Sequence, residues 1–364
     1  MYSFEPSEEQ KMLIDAVGRF ARQDLRPAAR EAEEEGQLPK KLIEKGWEIG
    51  ILQASVPEEY GGFGDRSALT GVLAAEELAY GDLAGAMAVM APGLFVLPIL
   101  LAGTEEQKLQ HIPPVIQAEW KPYTAALMEA QFDFDARDLN TEARENGAGY
   151  LLTGEKVYVP FAENAEAMLV FARLDGNTQG FILPRGTPGL EICERQKLLG
   201  LNALPLYRIR LSEAQVPDEN RLGGREGHDF APIAGASRVA LAAMAIGLSR
   251  AAYEYSRDYA KDREVFGVKV AQKQAIAFML AEMATEIEAM RLLLWEAAWM
   301  IDNGREQASQ QAYLALSGAA DTAMMVTDRA VQILGGHGYI REHPVELWMR
   351  NGRGFATFSG LVMV

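Results

Sequence analysis

Only one cysteine, Cys193, occurs among the 364 residues. No intramolecular disulfide can form, and a reducing compartment, the cytoplasm, is the expected location. The thiol sits in the apolar-leaning run Gly189-Leu-Glu-Ile-Cys193 and reads as a small packed side chain, not a nucleophile. Histidine is nearly as scarce. His337 and His343 have no His-x-x-x-His spacing and no cysteine partner, so they read as exposed or hydrogen-bonded structural residues rather than metal ligands. Basic charge is short as well. The 35 Lys and Arg against 51 Asp and Glu give a formal charge of −16 with no dense basic cluster, which excludes nucleic acid as a partner. The first ten residues lack the basic start of a signal peptide and the arginines of a transit peptide. Residues 83–103 carry no charge, but Pro92-Gly93 and Pro98 interrupt them. They read as two short buried helices, not as a membrane span. There is no Gly-x-x-x-x-Gly-Lys-Ser/Thr, no Gly-x-Gly-x-x-Gly after a strand and no Gly-x-Ser-x-Gly. Glu76 and Glu77 are neighbours in sequence, are expected on different sides of a helix, and form no acid–base pair.

What is present falls into three stretches. Ser7-Glu-Glu-Gln10 reads as a capping box, and Leu13, Val17 and Phe20 follow at helical spacing. Pro57-Glu-Glu-Tyr-Gly-Gly-Phe-Gly64 marks a loop, and helical text resumes from about residue 69 to 118. The middle third holds short β-branched and aromatic runs at 150–159, 167–171, 180–183 and 206–211, separated by Asp175-Gly-Asn177 and Pro184-Arg-Gly186. That predicts an antiparallel sheet. From residue 231 the text is helical again, with Leu280, Met283, Ile287, Met290 and Leu294 forming one core stripe. Helices, strands, then helices imply an α+β chain with segregated layers.

Near the end stands Gln332-Ile-Leu-Gly-Gly-His-Gly-Tyr339, followed by Arg341-Glu-His-Pro-Val-Glu346 and Met349-Arg350. Upstream lies Arg263-Glu-Val-Phe-Gly267. In combination these resemble the signatures of the acyl-CoA dehydrogenase flavoproteins, over essentially the whole chain. The resemblance implies a fold of an N-terminal helical domain (1–122), a middle β-barrel-like domain (123–230) and a C-terminal four-helix bundle (231–364). It implies FAD as cofactor and acyl-CoA as substrate. The reaction would be α,β-dehydrogenation, by proton loss from Cα and hydride transfer from Cβ to the flavin, with an electron-transfer flavoprotein as oxidant.

In that family each FAD lies at a subunit interface, and the two contributions can be followed separately. The part given to a neighbour's FAD is retained. By match, Arg263 would pair with the pyrophosphate, Phe266 and Val270 would pack on the adenosine part, and Gln274 is a recurrent glutamine. Gln332, Gly335 and Gly336 would approach the ADP portion, where glycine has no Cβ to intervene. The chain's own flavin-ring side departs from the pattern. Thr-Glu-Pro-Gly-Ala-Gly-Ser-Asp becomes Met128-Glu-Ala-Gln-Phe-Asp-Phe-Asp135, which has no glycine and an added carboxylate, Asp133. Lys-x-Trp-Ile-Thr-Asn becomes Lys156-Val-Tyr-Val-Pro-Phe161, with Tyr158 for tryptophan and Pro160 for threonine. Asn202 stands where an arginine is usual, and Leu361 where a threonine is usual.

The base is missing too. The usual Tyr-Glu-Gly-Thr reads Phe358-Ser-Gly-Leu361, which puts Ser359 at the position of the carboxylate that takes the α-proton. At the alternative position, just before the family arginine Arg238, stands Ser237. No catalytic residue is assigned, and Arg238 is a candidate substrate contact. The preferred expectation is a subunit of a hetero-oligomeric (α2β2) acyl-CoA dehydrogenase that lends ADP contacts to a catalytic partner. The alternatives are a homo-oligomeric flavoenzyme with altered chemistry or a relocated base, and a flavin-free scaffold.

Overall fold

Ser7 begins the first helix as the sequence predicts. Its hydroxyl accepts from the Gln10 N–H at 3.2 Å, and the Gln10 side chain accepts from the Ser7 N–H at 2.9 Å. The computed structural model describes residues 5–356. Ser359 and Leu361 lie outside the described residues.

Helix α1 (Glu8–Phe20) continues through a π-helical turn (Ala21–Leu25) into α2 (Arg26–Glu35), which ends at Gly36 in the left-handed conformation. Then come α3 (Lys40–Trp47), α4 (Ala68–Gly81), α5 (Leu83–Met90), α6 (Gly93–Ala102) and α7 (Glu105–His111). Pro92 separates α5 from α6 with a bend of 53°, and both are packed inside, so residues 83–103 are core helices.

The middle strands are β1 (Thr124–Ala126), β2 (Glu142–Glu145), β3 (Tyr150–Pro160), β4 (Ala167–Leu174), β5 (Asn177–Pro184), β6 (Leu190–Arg195) and β7 (Leu206–Val216). The four expected runs all lie in strands. Asp175 and Gly176, both at positive φ, make the two-residue turn that sets Leu174 opposite Asn177. The sheet is mixed, however, not purely antiparallel. β1 and β2 both run parallel to β4, and β3, β7 and β6 continue the sheet in antiparallel order. At three and four residues, β1 and β2 are too short for a period of two to register. Cys193 is half-buried on the edge strand β6, not packed in the core.

The third layer holds α8 (Ala231–Asp262), a small hairpin β8 (Glu264–Val265) and β9 (Val268–Lys269), α9 (Gln274–Asp302), α10 (Ala308–Leu334), a 3-10 turn (Gly335–Tyr339) and α11 (Val345–Ala356). α8 is apolar and long enough to cross a membrane, but its apolar stretch is 78% buried within the chain: α4, α9, α10 and α11 all pack on it.

Glu76 and Glu77 do not diverge. Both reach Arg250 on α8, at 2.6 and 2.5 Å, while Arg291 of α9 pairs with Glu76 and Arg22 with Glu77. The reason is the buried cation between them, a term that helix spacing alone leaves out. The pair ties the layers together. A second tie is Asp302 at the end of α9. Its carboxylate accepts from the Ala68 and Leu69 N–H groups and from the Ser67 hydroxyl, capping α4 from another domain. Asp302→Ala is therefore expected to lower stability by ~1–2 kcal/mol in urea unfolding. A change within the scatter of surface substitutions would contradict the capping role.

Candidate functional site

Helices α8, α9 and α10 alternate in direction, so α8 and α10 end where α9 begins. Tyr259 fixes this corner: its hydroxyl lies 2.8 Å from His337 Nδ1, joining the last turn of α8 to the turn after α10. Every residue of the expected ADP-side group collects there. Arg263 follows α8, its N–H bonded to the Tyr259 carbonyl at 2.8 Å. Gln274 is the first residue of α9, Gln332 is in the last turn of α10, and Gly335 and Gly336 come directly after it. Val270 is half-buried against the core; the others are exposed.

The chain itself gives little reason for several of these identities. Phe266 is 94% exposed and holds a φ of +55° at the tip of the β8–β9 turn, a conformation that is costly for a bulky residue. The Arg263 guanidinium has no ion pair among the described residues. A Cβ on Gly336 would meet nothing within 4 Å, and its φ is not in the left-handed region. Glycine there is required neither by packing nor by backbone, which fits a site where an external group approaches the main chain. Arginine, aromatic ring and bare backbone fit the phosphates and adenosine of a dinucleotide.

The flavin-ring side lies elsewhere. Ser237 is buried near the start of α8, and beside it the half-buried Arg238 stands 5.5 Å from the Tyr313 ring. Burial, and then the charge of Arg137, lower the Arg238 pKa. Arg238 lies near the start of α8 and Arg263 directly after its end, 25 residues on, roughly 38 Å along the axis. The two groups of residues cannot serve the same end of one ligand.

At this second place the residues present do not fit a flavin ring. Met128 is buried in the core, and its carbonyl accepts from the Val157 N–H. Glu129 is enclosed: its carboxylate accepts from Lys156 Nζ at 2.7 Å, the N–H groups of Asn140 and Thr141, and the Gln131 amide. Burial alone would raise this carboxyl, yet Lys156 and Thr141 hold it below the ordinary range. Burial pushes Lys156 down to about 8, against the pull of Glu129. Asp135 is occupied by Arg137 at 2.8 Å. Pro160 has no N–H and is paired with Leu206 in the sheet. Asn202 donates to the Glu33 carbonyl at 2.8 Å, and Glu33 also holds Arg350 at 2.5 Å. The arginine position has thus become part of a clamp between α2 and α11.

Three family profiles match in sequence: acyl-CoA dehydrogenase, N-terminal domain, over residues 7–119; middle domain, over 124–214; and C-terminal domain, over 234–361. The chain belongs to the acyl-CoA dehydrogenase family. It is 34% identical to an acyl-CoA dehydrogenase of Bacillus subtilis, over 97% of this chain and 95% of that protein. Butyryl-CoA dehydrogenase from Megasphaera elsdenii superposes with a TM-score of 0.89 at 32% identity, covering 99% of this chain and 96% of that one. The FAD complex of PigA shares the fold at 24% identity, with a TM-score of 0.90 over 99% of this chain and 96% of that one. FAD is the cofactor of solved proteins with this fold.

Sequence reading missed the Glu33–Arg350–Asn202 clamp and the tyrosine partners of His337 and His343, because all of them join segments distant in the chain. Lys156→Met leaves Glu129 buried without its cation, and should lower unfolding stability by ~3–5 kcal/mol. A loss under ~1 kcal/mol would show that water reaches the carboxylate.

Proposed function

We propose that this chain is the half-site subunit of a heteromeric acyl-CoA dehydrogenase. At the bundle corner Arg263, Phe266, Val270, Gln274, Gln332, Gly335 and Gly336 would hold the ADP part of an FAD whose ring rests in a catalytic partner chain. An FAD held there would supply hydride acceptance from the acyl-CoA, with an electron-transfer flavoprotein as its oxidant. The observation that carries this reading is the sorting of residues by place. Those suited to a dinucleotide are exposed together past the end of α8, while positions matched to the flavin ring are replaced at Met128, Pro160 and Asn202, and Asn202 is engaged by Glu33. The partner would supply the ring cradle, the acyl pocket and the carboxylate base. This chain's part is to bind, orient and exclude water.

Expression of the chain alone and with a catalytic acyl-CoA dehydrogenase-like partner tests this. The expected outcome is flavin only in the co-expressed complex, at one FAD per two chains. Stoichiometric FAD on the chain alone would favour a homo-oligomeric enzyme with altered chemistry, and flavin in neither preparation a scaffold. In the complex, Arg263→Ala should weaken FAD retention by about tenfold or more, the loss of one charge-assisted phosphate contact. Unchanged retention on gel filtration would contradict the donated contact.

A further inference from the structure

Directly after Gly335 and Gly336, the imidazoles of His337 and His343 stack, with ring centres 5.1 Å apart and planes 13° from parallel. Each is anchored from α8 in the same way. The Tyr259 hydroxyl lies 2.8 Å from His337 Nδ1, and the Tyr255 hydroxyl 2.7 Å from His343 Nδ1. Both Nδ1 atoms are engaged, so both Nε2 atoms turn away from α8. Neither Nε2 has a hydrogen-bond partner among the described residues, and neither is among the fully buried unpartnered atoms of these half-buried rings. Two stacked imidazoles, each held at Nδ1, follow an exposed glycine pair and are more than core packing requires.

We propose that His337 and His343 are a second anion-contact element of this corner, presenting their Nε2 atoms to the phosphate-bearing part of the dinucleotide. The proposal rests on the reading that the ADP half of FAD binds here. Tyrosine hydroxyls donating to Nδ1 would fix the tautomer with hydrogen on Nε2, and a proton gained by the pair would add charge assistance toward phosphate.

The surroundings set the sign. Tyr255 and Tyr259 approach from α8, and burial raises the Tyr255 pKa. Arg30 from α2 donates to the His343 carbonyl at 3.2 Å and pairs with Glu346 of α11, whose Trp348 ring packs edge-on against Tyr255. Arg341 pairs with Glu34, leaving Glu342 as the nearby carboxylate. Burial, and then the stacked neighbour, hold His343 below the ordinary imidazole range without ligand. An anion at Nε2 would favour a proton on His343. Binding of FAD should tighten as pH falls through the imidazole range.

Histidine labelled with nitrogen-15 in the ring, in the flavin-retaining preparation, gives four imidazoles to follow. His111 and His228 serve as internal controls, and His337→Gln and His343→Gln assign the other two. The expected result is movement of the Nε2 signals of His337 and His343 on adding FAD. FMN, which lacks the ADP part, should move neither. FAD affinity should rise about tenfold from pH 8 to pH 6, and stay flat in either glutamine variant. Nε2 signals unmoved by FAD, while Arg263→Ala still lowers retention, would overturn this inference and leave the ADP-side reading standing. Retention indifferent to Arg263→Ala would overturn both. The wild-type spectra decide the question even where a variant fails to fold.

Discussion

The length of α8 governs which groups of this chain can meet. It is one uninterrupted helix of 32 residues, and its sides are sealed by α4, α9, α10 and α11. A helix rises about 1.5 Å per residue, so Arg238 and Arg263 belong to different sites whatever their chemistry. The Arg250 pairs to Glu76 and Glu77 hold α8 against the N-terminal helices, and Arg291 draws α9 to the same carboxylates. These charges are largely buried, so removing one partner would leave the other uncompensated, and the network fixes the relative position of the helical layers. The two ends of α8 are therefore presented at a set separation.

That separation gives the substitutions their meaning. Met128, Pro160 and Asn202 are not scattered defects. In the proposed reading each replaces a residue that would meet the ring, and in the structure they are a core methionine, a strand residue without a donor, and a link from the 200-loop to Glu33. Lys156 and Glu129, which match the family pattern, engage each other and nearby main chain. At the other end, an exposed phenylalanine at positive φ and a glycine with open space around it persist without an internal reason. Strain and exposure are retained where an external group would repay them.

Much of this was legible from the text. The capping box at Ser7, the two short helices in residues 83–103 and the four longer strands follow from local rules of hydrogen bonding and periodicity. What the text hid depends on contacts across the fold. β1 and β2 pair in parallel with β4, too briefly to show a pattern, and Glu76 and Glu77 converge because Arg250 lies between them. The histidine pair escaped for the same reason. His337 and His343 have no metal-like spacing, and their partners Tyr255 and Tyr259 stand about eighty residues upstream, within one turn of each other on α8. Spacing along the chain reports helices and turns well, and reports the joining of distant side chains poorly.

The most direct measurement is a structure of the flavin-loaded assembly that assigns each FAD to the chains touching it. The account predicts FAD phosphates against Arg263 and Gly336 of this chain, the isoalloxazine in a different polypeptide, and no FAD ring near Met128 and Pro160. A flavin ring seated between the 128–135 loop and Pro160 of this chain would contradict it.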